Sequence, residues 1–102
     1  NGNDRKLELV REIARRKGIS GTINISNKKN KRFVITKELT NGKNHSIHFG
    51  LWPFNGFATY IDHEDEIIRK NWRLRHRKIM KDGSPAYKDI SSPEFYSWNL
   101  LW

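Results

Sequence analysis

A chain of 102 residues is one domain's worth of material, and folding a chain of this size buries only about 60–65% of its unfolded surface. It has no cysteine, which excludes disulfides, thiolate metal sites and cysteine nucleophiles. Twenty Lys and Arg against eleven Asp and Glu leave a net charge of +9, which suits a polyanionic partner: nucleic acid, an anionic membrane or an acidic protein face.

Hydrophobic residues make up 35%, yet aromatics reach 12% with four tryptophans, a profile unlike that of disordered chains. No apolar run approaches the roughly 20 residues of a bilayer span and no signal-peptide core is present, so neither membrane insertion nor secretion is expected. The chain opens at Asn1 and its one methionine is Met80, so it reads as a processed or trimmed chain, not a whole reading frame.

The first segment predicts a helix over about 4–17. Asn3 or Asp4 can cap it, and Leu7, Val10 and Ala14 form a stripe with Leu9 and Ile13 beside them. Gly18 then stands where a left-handed terminator belongs, followed by apolar Ile19. From Thr22 the period changes to two. Ile23 and Ile25, then Phe33 and Ile35, then Ile47 and Phe49 predict a three-stranded antiparallel meander over 22–50. Asn27–Asn30 and Asn41-Gly42 are its turns, the second being the strongest short hairpin signal.

The stretch GLWPFNGFATY (50–60) predicts an irregular aromatic loop, ending in a short strand over 57–61. Asp62 would cap a long helix over about 64–80, whose buried stripe is Ile68, Trp72 and Ile79 flanked by Ile67 and Leu74. Asp65 with Arg69 and Glu66 with Lys70 have supportive spacing. Asp82-Gly83-Ser84-Pro85 ends it. Ser91 or Ser92 would cap a short aromatic helix with Pro93 at its first position. The expected fold is α+β in a single domain: an N-terminal helix at an edge of the sheet or reaching towards a partner, and the sheet packed by the long basic helix and the aromatic C-terminal helix.

Catalytic signals are weak. Of the four histidines, His45 and His48 lie on a strand, and His63 and His76 are thirteen residues apart, about 20 Å along a straight helix. No zinc-protease, P-loop, nucleophile-elbow or deaminase pattern is present, and a metal-dependent nuclease using His48 or His63 is the weakest reading. The acidic cluster 62–66 fits a helix start. No cofactor or metal is expected.

The basic run is more telling, with seven Lys and Arg between Arg69 and Lys81 and no acid among them. Arg69, Lys70, Arg73, Arg77, Lys78 and Lys81 are the candidate phosphate contacts, supported by Lys28, Lys29, Lys31 and Arg32 at a hairpin tip that could flank the same groove. Six neutralised phosphates would give a salt slope of about −5. Trp52 and Phe54 are the candidate base-stacking residues, whereas Trp72, Trp98 and Trp102 are expected in the core. Asn71, Arg73 and Arg77 are the residues that could read bases, but the crowding of cations predicts weak sequence preference.

GKNHSIHFG (42–50), YIDHEDEIIRKNWRLRH (60–76) and SSPEFYSWNLLW (91–102) together resemble a group of short basic proteins of large nucleocytoplasmic DNA viruses. The shared pattern is a strand ending in HFG, a helix with the spacing R-x-x-W-x-x-R-H at Arg69, Trp72, Arg75 and His76, and a terminal aromatic element. The resemblance covers about 31–102, and the chain departs from it in the insert LWPFNGFA and in its N-terminal helix and first strand. The resemblance implies a viral or virus-like origin, a location in the virion or the host nucleus or cytoplasm, no established enzymatic activity, and structural roles for His63 and His76. The expectation is therefore a non-enzymatic nucleic-acid-binding protein, on DNA before RNA. The alternative is a minor virion or capsid protein whose partners are acidic viral proteins.

Overall fold

The computed structural model describes residues 2–38, 41–52 and 58–102. The chain is mixed α and β and forms two compact units, Asn1–Pro53 and Phe54–Trp102, each described by itself.

In the first unit, α1 spans Gly2–Arg16. It starts before the expected caps, so Asp4 lies in the first turn and the Asn3 side chain lies outside the described residues. Its end follows the sequence. Gly18 takes φ +69°, Gly18 N–H donates to Arg15 O and Ile19 N–H to Ala14 O, which satisfies the last carbonyls of the helix. Arg11 pairs with Glu8 at 2.6 Å, and Arg15 and Arg16 both pair with Glu12.

Strands β1 (Thr22–Ile25), β2 (Lys31–Glu38) and β3 (Asn44–Leu51) form an antiparallel sheet in that order. The register aligns Ile23, Ile35 and Ile47 in one cross-strand column and Ile25, Phe33 and Phe49 in the next. Phe33 and Phe49 meet ring to ring at 5.9 Å. Helix α1 packs on the edge strand β1, with Val10 and Ala14 buried and Arg11 Nε donating to Ile23 O at 2.9 Å. Gly21 precedes β1 at φ +128°, and a Cβ there would lie 2.8 Å from Ile35 Cγ1, so only glycine lets the chain enter the sheet so closely.

The β2–β3 turn differs from expectation. Glu38 pairs with Asn44, so Asn41-Gly42 sits in a longer loop where Gly42 has positive φ and the Asn41 side chain accepts from Lys43 N–H. The start of the strand expected over 57–61 lies outside the described residues.

In the second unit that strand is instead a helix. Thr59 caps the short α2 (Tyr60–His63), its N–H and hydroxyl both donating to Asp62 Oδ2 at 3.1 and 2.6 Å. Glu64 takes φ +57° and breaks the helix; Asp65 then caps α3 (Glu66–His76), accepting from Ile67 and Ile68 N–H. Asp62 thus closes the capping box of the first helix and Asp65 opens the second. The expected long helix also ends early, at His76. Asp82 and Gly83 both take positive φ, the two-residue turn that joins β4 (Met80–Lys81) to β5 (Ser84–Pro85). A 3₁₀ turn over Ala86–Lys88 follows, then α4 (Pro93–Tyr96), capped by Ser92, then a π-helical turn over Ser97–Leu101.

The core of this unit is aromatic. Ile61, Trp72, Ala86, Tyr96, Leu100, Leu101 and Trp102 are buried. Trp72 lies between His76 at 3.8 Å and Trp102 at 4.6 Å, both stacked parallel to it. The expected α3 stripe is reduced to Trp72: Ile68, Leu74 and Ile79 are exposed, and Ile67 is 73% exposed. The reason is the aromatic packing, in which two flat stacked neighbours bury one indole without engaging the residues a turn away.

Candidate functional site

Helix α3 repeats its cations with helical spacing. Arg69, Lys70, Arg73 and Arg77, with Glu66 and Leu74, line one side of a cleft of about 330 Å³ whose opposite wall is Trp98. Residues three, four and seven apart share a helix face, so this grouping follows from the sequence; the Trp98 wall depends on how the C-terminal segment folds back.

The cations are not equivalent. Arg69 Nε donates to the main-chain oxygen of Trp102, its Nη1 lies 3.5 Å from Glu66 Oε2, and its guanidinium covers the Tyr60 ring at 4.6 Å. Arg69, expected as a phosphate contact, is thus engaged within the fold by a main-chain oxygen, a carboxylate and a ring. Lys81 likewise donates to Ser91 Oγ at 3.0 Å and lies 3.6 Å from Asp89. By contrast, Lys70, Arg77 and Lys78 are exposed and make no ion pair among the described residues. Arg75, named in the R-x-x-W-x-x-R-H pattern but not among the candidate phosphate contacts, is exposed in the same way.

Arg73 stands apart. It is partly buried, its guanidinium lies 5.1 Å from the centre of the Trp98 ring, and its buried Nε has no hydrogen-bond partner among the described residues. Burial, and then the positive charge of Arg69, lower its pKa from the ordinary arginine value. A desolvated cation beside a second cation is stabilised by any anion that enters. Nearby, the Tyr60 hydroxyl donates to Glu66 Oε1, which is the main reason that the Glu66 carboxyl is lowered and the Tyr60 hydroxyl raised.

The expected contacts of the other unit divide similarly. Lys28 and Lys29 are exposed on the β1–β2 turn, where Asn30 takes φ +66°, and Lys31 is half-buried at the start of β2. Arg32 is 1% exposed, its guanidinium 5.1 Å from the centre of the Phe33 ring and 5.5 Å from that of Trp52. It is therefore buried against these two rings on the face of β2 opposite to Phe33 and Ile35, and is not presented to a phosphate. Trp52 is half-buried and covered by that guanidinium, and Phe54 lies outside the described residues.

Three of the four histidines, His48, His63 and His76, are hydrogen-bonded within the fold. His76 Nδ1 bonds Glu94 Oε1 at 2.7 Å while stacking on Trp72. His63 Nδ1 accepts from Asp65 N–H at 2.8 Å, and its buried Nε2, near the Trp102 ring, has no hydrogen-bond partner among the described residues. His48 Nδ1 bonds Ser26 Oγ at 2.7 Å, and His45 sits opposite Lys37 in the sheet. No group of three His, Cys, Asp or Glu among the described residues could hold a metal ion, and no helix there is long and apolar enough to cross a membrane.

The family of unknown function DUF5754 matches residues 21–76, which is β1 through the end of α3. The chain belongs to that family. No curated protein and no solved structure matches it. In this DUF5754 protein Arg69, Lys70 and Arg73 fall within the matched stretch, and Arg77 and the Trp98 wall fall outside it.

Proposed function

We propose that this DUF5754 protein is a non-enzymatic nucleic-acid-binding protein of low sequence specificity, acting on DNA in a large DNA virus. The observation that carries the reading is the set Lys70, Arg73, Arg77 and Lys78, on and just past α3, with no carboxylate partner among the described residues. Phosphates meet such cations without reading bases. The exposed Lys28 and Lys29, with the half-buried Lys31, add a second basic segment on the first unit.

The test is a salt titration of binding to duplex and single-stranded DNA and RNA. Four phosphates neutralised by α3 give a log–log slope of about −4 on duplex, and alanine at Lys70, Arg77 or Lys78 lowers it by about one each, equally for all sequences. No binding at ~50 mM salt refutes the proposal. A six-base consensus lost on Arg73→Ala alone refutes low specificity.

A second reading has one observation in its favour. Ile67 (73% exposed), Leu74 and Met80 stand out to solvent among these cations, a mixture suited to an acidic protein surface in a virion. Co-purification with a capsid protein in place of nucleic acid would establish it.

A further inference from the structure

We infer that the cleft beside α3 is a discrete seat for a single phosphate group, held by Arg73, Lys70 and Arg77 against the Trp98 wall. The inference rests on the polyanion reading and narrows it from a charged surface to one site of defined stoichiometry.

Three observations meet there. First, the Arg73 Nε is buried without an acceptor, whereas the Arg69 Nε is taken by the Trp102 main-chain oxygen. A buried donor left unmatched is costly, and an oxyanion that displaces the side chain covering it supplies the missing acceptor. Guanidinium and phosphate also match in geometry, two N–H groups to two oxygens. Second, the charge in the cleft is unbalanced. Glu66, the one carboxylate lining the cleft, is engaged by Arg69 and Tyr60 and acts on Arg73 only through its charge, which leaves Lys70, Arg73 and Arg77 without an ion pair among the described residues. Third, Trp98 is already engaged. Tyr87 stacks on its ring at 4.2 Å and 20°, and the Arg73 guanidinium lies over the same ring. The indole therefore fixes the guanidinium and is not offered to a base. At about 330 Å³ the cleft is at the small end of ligand sites, sized for a phosphate and its sugar more than for a stacked base.

The phosphate can come from a backbone diester or from a terminal monoester, and the experiment separates them. The whole chain is titrated with inorganic phosphate against chloride of equal ionic strength, following the Arg73 Nε–H and Trp98 indole N–H resonances. In parallel, binding is measured for one single-stranded oligonucleotide ending in a 5′-phosphate or a 5′-hydroxyl. A saturable one-to-one shift with phosphate, weakened about tenfold or more in Arg73→Lys, which keeps the charge but loses the Nε donor, supports the seat. Arg77→Gln, on an exposed side chain, should weaken it without disturbing the fold. Tighter binding of the 5′-phosphate strand assigns a terminal monoester. Equal binding of both strands, each competed by inorganic phosphate, assigns a backbone diester. Absence of a shift beyond that of chloride, with the hydroxyl-ended strand still bound, overturns the seat and leaves the diffuse polyanion reading standing. If neither phosphate nor either strand binds, both readings fall.

Discussion

Replacing Trp72 by alanine should be the most damaging single change in the second unit. Trp72 is 8% exposed and stacked between His76 and Trp102 at 3.8 and 4.6 Å. Truncating a buried tryptophan to alanine costs about 3–5 kcal/mol, a large share of the 5–15 kcal/mol that holds a typical domain together. Each stacked partner also loses a contact, and His76 loses the surface that orients it towards Glu94. Trp98 is a useful control because it is only half-buried and packs against Tyr87 and Arg73. Its truncation should cost about 2–3 kcal/mol, since part of its surface is wet in the native state. For a chain of this length 1 kcal/mol is worth about 4–8 °C, so Trp72→Ala should lower the melting temperature by about 12 °C or more. Urea and thermal unfolding followed by far-ultraviolet circular dichroism would measure both variants. A Trp72→Ala protein within ~1 kcal/mol of wild type, or less perturbed than Trp98→Ala, would refute the stacked core.

Three further outcomes follow from other contacts. Arg32→Ala should lower stability by about 2 kcal/mol or more, and Arg32→Lys should not restore it, because a compact ammonium cannot lie flat over Phe33 and Trp52; neither change should alter the salt slope of nucleic-acid binding. Asp65→Ala removes the cap that accepts from Ile67 and Ile68 N–H and should cost about 1 kcal/mol in urea unfolding. The Glu66 carboxyl is lowered chiefly by the Tyr60 hydroxyl, and Tyr60 is raised chiefly by Glu66. Their contribution to stability should therefore be whole between about pH 4.3 and 10, fade as pH falls through the lowered Glu66 value, and fade again as pH rises through the raised Tyr60 value. Glu66→Gln should flatten both limbs, leaving the acid limb set by Asp89, which Ser91 holds low; unchanged limbs would show that the pair contributes nothing.

Local chemistry determined much of this protein. The helix over 2–16 and its glycine stop, the alternation of Ile23, Phe33, Ile35, Ile47 and Phe49, and the Ser92-Pro93 helix start are each set by neighbours a few residues away. The cationic face of α3 was equally legible, because helical spacing alone gathers Arg69, Lys70, Arg73 and Arg77. Where two local signals competed, only the tertiary structure chose. Asp62 and Asp65 can both cap a helix, and packing gave each its own role on either side of Glu64. Asn41-Gly42 and Asp82-Gly83 are both tight-turn dipeptides, yet strand register placed the first in a longer loop and made the second the two-residue turn of a β4–β5 hairpin. Which cations remain free was also beyond local reading. A lysine or arginine looks alike in sequence whether it is buried between rings like Arg32, spent on a main-chain oxygen like Arg69, or left open like Lys70. Those states differ only in partners brought from distant positions, such as Trp52 for Arg32 and Trp102 for Arg69. Trp98 became a wall instead of a core residue for the same reason: its surroundings, Tyr87 and Arg73, come from other turns of the folded chain.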